Sequence, residues 1–225
     1  MASIIRSSTA TSSSASGNEL TFSHTITHSR GLLLVVGAKL NDNVGSVGSA
    51  TFNGVAMTAM DDYILTSDPP YIAMRGFYML NPPVGTYNVV VGASGVGGET
   101  AGIAASYRNV SSSGPDATDP AVDKVEAGNS TESITTVADR AWAFMVIGTH
   151  VSGGLTVTDS ATEHTSALFV VVAQNFYLYI WDTNSDVTPA GSVTFGYDRL
   201  GGNQHVIHQM ISFAHGSGLP STIFF

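Results

Sequence analysis

Alternation of apolar and polar residues with a period of two is the feature that most constrains this chain. In the segment LTFSHTITH, the apolar residues Leu20, Phe22 and Ile26 alternate with serine and threonine, as in a strand with one buried face. The next segment, GLLLVVGAKL, is apolar without interruption from Leu32 to Val36, which predicts a central strand buried on both faces. The chain is therefore predicted to be a β-sheet protein.

Turn-forming residues divide the rest of the chain into pieces of strand length. Asn53-Gly54 lies between two short alternating runs and predicts a type I′ hairpin, because both central residues of that turn need a positive φ. Pro82 and Pro83 end the next strand, since proline donates no backbone hydrogen bond. The later segments repeat the pattern, for a total of about ten or eleven strands. The pattern predicts an all-β fold, a two-sheet antiparallel β-sandwich.

Charge and composition exclude several classes of protein. With 8 Lys+Arg the chain cannot cover the outer faces of many helices, and its net charge of −9 offers no basic surface for nucleic acid. An acidic surface is compatible with solubility, cation binding or docking on a basic partner. The absence of cysteine excludes disulfides and thiolate sites. No apolar run approaches the roughly 20 residues of a membrane-spanning helix, so no membrane partner is predicted.

Both ends of the chain differ in composition from its middle. Residues 1–18 contain the tract SSTATSSSASG and predict a flexible arm, with the apolar pair Ile4 and Ile5 near its start. No signal-peptide core precedes the first strand, so we expect synthesis in the cytoplasm of the producing cell without secretion by that route. Residues 216–225 form an apolar tail ending in Ile223, Phe224 and Phe225. The tail is either an edge strand on its own core or a hook for a neighbouring subunit.

Residues 19–215 are interpreted as one β-sandwich domain. The Gly-, Pro- and Asp-rich segment 111–123 could mark a domain boundary, but the strands on each side of it look too few for two independent sandwiches. It is therefore expected to be a loop within one domain. No internal repeat of fixed period is evident.

No set of residues forms a recognisable catalytic, cofactor or metal site. His24 and His28 share a strand face but lie roughly 13 Å apart, too far to bind one metal ion. His205 and His208 point to opposite strand faces, and no nucleophile elbow or phosphate-binding loop is present. A polysaccharide hydrolase stays open as an alternative that needs a close pair of carboxylates. No cofactor is predicted.

Two further clusters have alternative interpretations. Asp116, Asp119 and Asp123 could hold a structural calcium ion, although their spacing matches no EF-hand and a solvated loop is the simpler interpretation. Tyr177, Tyr179 and Trp181 share one face of a strand. That face either points outward, to bind a glycan or a neighbouring subunit, or is buried in the sandwich.

The ordered segments of the chain resemble a family of jelly-roll-like β-sandwich domains in tailed-phage virion proteins and some bacterial surface proteins. The segments LTFSHTITHSRGLLLVVGAKL, SATFNGVAMTAM, FYMLNPPVGTYNVVV and AASYRNVSSSGPDATDP carry the resemblance, which covers residues 19–214. Residues 80–91 are its most specific part. The resemblance implies a jelly-roll-like fold and a role like that of head decoration (cement) proteins or tail-fibre modules. It brings no catalytic residues.

These observations favour a non-enzymatic virion structural protein that decorates and stabilises a phage capsid. Its expected partners are the major capsid protein or other virion subunits, and a homo-oligomer, either trimer or dimer, formed through the terminal segments. Ile4, Ile5 and the three apolar tail residues are the candidate contacts, together with the Tyr177, Tyr179 and Trp181 face. The alternative is a carbohydrate- or receptor-binding module of a tail fibre or bacterial surface protein.

Overall fold

The computed structural model describes residues 3–7, 11–40, 45–65, 71–126, 130–150, 154–158, 162–171, 174–199 and 204–216. These residues form eighteen β-strands. Among them, no helix is long and apolar enough to cross a membrane. The first ten strands are β1 (Ile5–Arg6), β2 (Thr11–Ser16), β3 (Glu19–Ile26), β4 (Gly31–Leu40), β5 (Ser46–Phe52), β6 (Val55–Ala56), β7 (Thr58–Leu65), β8 (Ile72–Leu80), β9 (Gly85–Ser94) and β10 (Glu99–Arg108). The last eight are β11 (Ala117–Glu126), β12 (Ser130–Thr135), β13 (Trp142–Thr149), β14 (Leu155–Val157), β15 (Thr162–Val171), β16 (Gln174–Asp182), β17 (Ser192–Arg199) and β18 (Gln204–Phe213).

The all-β antiparallel sandwich is confirmed, but the strands form four sheets where two were expected. The N-terminal sandwich has an outer sheet, β3-β9-β5-β6, and an inner sheet, β1-β10-β4-β8-β7, whose strand β10 also pairs with β2. The C-terminal sandwich has an inner sheet, β11-β18-β13-β16-β15, and an outer sheet, β12-β17-β14. The two inner sheets pack face to face around a shared apolar core, so the protein has four layers.

Both sandwiches have the same jelly-roll-like topology. If the strands β2–β5 and β7–β10 are counted one to eight, the inner sheet runs 1-8-3-6-5 and the outer sheet 2-7-4. Counting β11–β18 in the same way gives the same two orders. Strand five carries a register shift at a corresponding place in each half, in β7 and in β15. The fold is therefore duplicated within the chain. Of the segment 111–123, which was expected to be a loop within one domain, residues 111–116 join the two halves and residues 117–123 belong to β11.

A short sequence repeat marks this duplication. Pro83-Val84-Gly85-Thr86 leads into β9, and Pro189-Ala190-Gly191-Ser192 leads into β17 at the same place in the fold, 106 positions later. Ser106-Tyr107 in β10 and Ser212-Phe213 in β18 have the same offset. The prediction that the chain has no repeat of fixed period did not reveal this repeat of the fold. Loops of unequal length give different strands different offsets, which hides a fixed period.

The contact between the halves has pseudo-twofold symmetry. By strand register, Tyr107 corresponds to Phe213, and Tyr78 corresponds to Asp182. Tyr107 contacts Asp182 across the interface through a 3.0 Å hydrogen bond, and Phe213 contacts Tyr78 with ring centroids 5.4 Å apart. Equivalent residues thus meet equivalent partners, as at the interface of a twofold dimer.

Several sequence predictions of local structure are confirmed. Asn53 and Gly54 have φ values of 52° and 74° and join β5 to β6 as a hairpin. Strand β4 is buried at every position, because its two faces belong to different cores. Leu32 and Leu34 face the core between the halves, whereas Leu33 and Val35 face the outer sheet.

The expectation of a flexible N-terminal arm over residues 1–18 was wrong for the described part of that segment. β1 and β2 both pair with β10, and Ile4 is buried at 1% exposure in the central core. The Ser3 backbone oxygen accepts a 2.7 Å hydrogen bond from the Asn109 side chain. A serine- and threonine-rich segment has the same backbone donors and acceptors as any other segment, so it can pair as a strand although its polar composition suggests disorder.

Gln209 is a second buried polar side chain, besides Asp182, that bonds across the interface between the halves. The Gln209 side chain on β18 accepts a 2.9 Å hydrogen bond from the Gly76 N–H on β8 and donates to the Asp61 backbone oxygen. Gln209 is fully buried, and a Cβ added to Gly76 would lie 3.0 Å from its side-chain oxygen. The glutamine therefore fixes the two sheets in one relative position, with glycine leaving room for it.

We predict that Gln209→Leu lowers the free energy of unfolding by about 1–3 kcal/mol, because the Gly76 N–H is left buried without a partner. Urea unfolding followed by tryptophan fluorescence measures the effect. Ser23→Ala removes a hydrogen bond on the exposed face of β3 and is the control, with an expected change within about 0.5 kcal/mol. Equal midpoints for Gln209→Leu and Ser23→Ala would contradict this role.

Candidate functional site

The aromatic strand predicted as a possible binding platform does not lie on the surface. Tyr179 and Trp181 on β16 are 3% and 0% exposed and belong to the core between the two C-terminal sheets, with Tyr177 partly buried beside them. The interpretation with that face buried is the one the structure supports. Of the other predicted contacts, Ile4 is buried within its own chain and Ile5 is 38% exposed. Ile223, Phe224 and Phe225 lie outside the described residues.

The aspartates considered for a calcium ion occupy turn and strand positions. The Asp116 carboxylate accepts 2.8 Å hydrogen bonds from the backbone N–H groups of Val137 and Ala138, which fixes the turn before β13, while Asp119 lies within β11. His24 is buried and His28 is exposed. Burial, and secondarily the charge of His205, lower the pKa of His150. Within the described ranges, no group of three or more His, Asp or Glu residues could hold a metal ion.

The first candidate site is a cleft of about 530 Å³ beside β1, here called the Trp142 cleft. Its lining residue Arg6 is bound by Asp182, which is fully buried. Its carboxylate accepts bonds of 2.8 and 2.5 Å from the Arg6 guanidinium, 3.0 Å from the Tyr107 hydroxyl and 2.8 Å from the Asn184 N–H. Four donors on one carboxylate offset the cost of its burial.

Asp186 completes the ion-pair network of the Trp142 cleft. Its carboxylate accepts 2.9 Å from Arg140 and 3.0 Å from the Trp142 indole N–H. The hydrogen bond to Asp182 raises the pKa of Arg6, and burial raises that of Tyr107 well above its ordinary value, with Asp182 adding to the effect. The side chains of Asp182 and Asp186 therefore link the residues of the cleft through hydrogen bonds and ion pairs.

The second candidate site also borders Ile5 of β1 and is here called the arginine cleft. It has a volume of about 420 Å³ and is lined by Ile5, His28, Ser29, Arg30, Arg108 and Asn109. An Arg108 terminal nitrogen lies 3.1 Å from His28 Nε2. Because a guanidinium can only donate, the His28 nitrogen accepts this bond. The described residues that line the cleft include no carboxylate.

The third candidate is a buried polar cluster within the C-terminal sandwich. It comprises Ser130 and Glu132 on β12, Tyr197 and Arg199 on β17, and His208 on β18, with His208 Nε2 at 3.8 Å from a Glu132 oxygen. The Arg199 guanidinium carbon lies 5.8 Å from the centre of the Tyr197 ring. Burial raises the pKa of Tyr197, while the nearby Arg199 opposes that shift.

The N-terminal sandwich has apolar residues at the corresponding positions. By register and offset, Leu20, Phe22, Val91, Ala93 and Gly102 occupy the places of Ser130, Glu132, Tyr197, Arg199 and His208. A Cβ added to Gly102 would lie 3.1 to 3.4 Å from the side chains of Leu20, Phe22 and Val91. At these five positions the N-terminal sandwich therefore has apolar residues, whereas the C-terminal sandwich has polar side chains.

The polar cluster contains serine, histidine and glutamate, the residue types of an acyl-transfer triad, but not the geometry of one. No hydrogen bond joins the Ser130 hydroxyl to a ring nitrogen of His208 within the described ranges, so this histidine does not activate it as a nucleophile. Ser130 and His208 are 8% and 1% exposed, which leaves no room for a substrate at either. The cluster is a polar section of the core of the C-terminal sandwich.

Sequence reasoning missed the two clefts and the duplication that positions them. Arg30 and Arg140 stand at corresponding places, one residue before the apolar runs of β4 and β13. A charged residue at the end of a buried strand, repeated in both halves, was the signal available. Comparison of the chain with protein-family models, curated proteins and solved structures finds no match.

We predict that Asp182→Asn lowers the free energy of unfolding by about 3 kcal/mol, because it leaves the Arg6 guanidinium without its counter-ion. Arg6 is a quarter exposed, which keeps the cost at the lower end for a buried pair. Glu19→Gln, on an exposed part of β3, is the control and should change stability little. Chemical denaturation measures all three proteins, and an unchanged midpoint for Asp182→Asn would refute the role of this ion pair.

We also predict that replacing the polar cluster with its N-terminal counterparts stabilises the protein by about 1–4 kcal/mol. The variant combines Ser130→Leu, Glu132→Phe, Tyr197→Val, Arg199→Ala and His208→Gly. His208→Gly alone should destabilise it, because the hole left by the imidazole is then lined by polar groups. Thermal unfolding compares the two variants with the native chain, and a fivefold variant less stable than the native protein would contradict the correspondence of the two cores.

Proposed function

We propose that this protein is a non-enzymatic structural protein of a virion, a decoration (cement) protein that binds a phage head and stabilises it. The observation that carries the proposal is that the two halves of the chain are firmly joined to each other. Two sandwiches share an apolar core, and the ionic network of Asp182 binds the N-terminal segment to the C-terminal half. A protein that reinforces a shell must transmit force without deforming, and a close-packed interior with buried polar cross-links does so.

The chemistry of the described residues supports the same proposal. The polar groups of the Trp142 cleft are bonded to one another, and the polar cluster lies within the core. The resemblance of residues 19–214 to phage virion domains points to the virion, and the net charge of −9 suits docking on a basic surface of the major capsid protein. Assembly as a homo-oligomer, trimer or dimer, belongs to the same proposal.

The structure changes which terminal segment a test of assembly should use. β1 and β2 belong to the inner sheet of the N-terminal sandwich, so deleting residues 1–17 would disturb folding as well as assembly. The apolar tail over residues 216–225, with Ile223, Phe224 and Phe225, is the segment to alter. Phe224→Ser with Phe225→Ser removes its aromatic side chains and keeps its length.

Co-sedimentation of the purified protein with undecorated phage capsids tests the proposal. We expect saturable binding, weakened about tenfold or more in the double phenylalanine variant, because two aromatic rings would no longer be buried at the contact. Ser221→Ala with Thr222→Ala is the matched control and should bind like the native chain. Absence of saturable binding by the native protein would overturn the proposal, and equal binding by all three proteins would exclude the tail as the contact.

A further inference from the structure

We infer that the arginine cleft is a binding site for a carboxylated sugar, a uronic acid at the end of an acidic glycan. This binding site goes beyond the proposed function, and the positive charge of the cleft is the first observation that supports it. In a chain with net charge −9, the cleft brings together Arg30 and Arg108. Neither has a carboxylate partner within the described ranges, and the Nε of Arg108 is buried without a hydrogen-bond partner. An anion is the group that would satisfy both guanidiniums.

The duplicated half shows what such an arginine does when its partner is present. Arg140, which corresponds to Arg30, donates a 2.9 Å hydrogen bond to Asp186 in the segment between β16 and β17. The corresponding segment of the N-terminal half, residues 81–84, reads Asn-Pro-Pro-Val and contains no carboxylate. The C-terminal half thus supplies its own acid for this arginine, whereas the N-terminal half leaves the position open to an external one.

The cleft is held in shape before any ligand binds. The Asn109 N–H donates to the Arg30 backbone oxygen at 3.1 Å, which fixes the turn between β3 and β4 to the end of β10. The Asn109 side chain donates to Ser3, and Ile5 pairs with Arg108 in the sheet. The bond from Arg108 to His28 orients the guanidinium. A site fixed in this way loses little conformational entropy on binding.

Size and lining favour a sugar acid over a bare carboxylate. The cleft volume of about 420 Å³ falls in the range of small-ligand pockets and exceeds what one carboxylate fills. Ser29 and the Asn109 side-chain oxygen can bond to hydroxyl groups, and the 38% exposed Ile5 offers an apolar surface to the C–H face of a ring. A guanidinium binds a planar carboxylate through two parallel hydrogen bonds. A uronic acid combines all three features.

Isothermal titration calorimetry with glucuronate at low ionic strength tests the site on the full chain. We expect saturable binding with one site per chain, no binding of glucose and binding of acetate at least about tenfold weaker. Inorganic phosphate is the competing anion and should bind more weakly than glucuronate. Tighter binding of phosphate would overturn the assignment to a carboxylate, and equal binding of acetate would overturn the assignment to a sugar.

Substitutions inside and outside the cleft distinguish binding at this site from nonspecific electrostatic attraction to the whole protein. Arg30→Gln and Arg108→Gln should each weaken glucuronate binding by about tenfold or more. Arg108→Lys should not retain native binding, because a lysine ammonium cannot donate two parallel hydrogen bonds to a carboxylate. Thr21→Glu makes the net charge more negative by one unit, as Arg30→Gln does, but at an exposed position of β3 away from the cleft, and should leave binding within about twofold. Equal weakening by Thr21→Glu and Arg30→Gln would overturn the inference, and circular dichroism checks that each variant is folded.

Discussion

The packing of the two inner sheets against each other is the contact on which the rest of the structure depends. Strands β4 and β13 lie at the centre of these sheets and are buried at every position. Each therefore contributes one face to the core between the halves and one to its own sandwich. Burial on both faces explains why both strands are continuous apolar runs, which is otherwise typical of parallel sheets. Neither sandwich could leave its inner sheet exposed to water.

Polar groups enter this apolar contact only where the fold provides partners for them. Gln209 enters at Gly76, where the missing side chain leaves space, and Asp182 enters where Arg6 and Tyr107 converge on it. An apolar interface alone is tolerant of sliding, whereas a buried hydrogen bond is satisfied in one position only. The apolar core supplies stability, and these polar contacts set the relative position of the two halves.

The sequence predicted the kind of structure well and its organisation poorly. Alternation, turn residues and low charge sufficed for the strand class, the Asn53-Gly54 hairpin and the buried strand β4, because these depend on neighbours in sequence. The duplication was missed because it is conserved in topology and register while most side chains differ. The burial of Tyr179 and Trp181 was left undecided, since a strand's period identifies two faces without saying what covers each. Which face is buried depends on the second sheet of each sandwich, which covers it and is distant in sequence.

Duplication also explains how candidate sites arose at positions that look ordinary in sequence. Two copies of one fold can diverge, so a residue that is structural in one half can lose its partner in the other. Arg140 keeps Asp186, while the corresponding Arg30 faces an open cleft. The reverse holds inside the sandwiches, where Gly102 keeps a closed apolar core and His208 has polar neighbours. Differences between corresponding residues therefore separate positions that the fold requires from positions free to acquire a ligand.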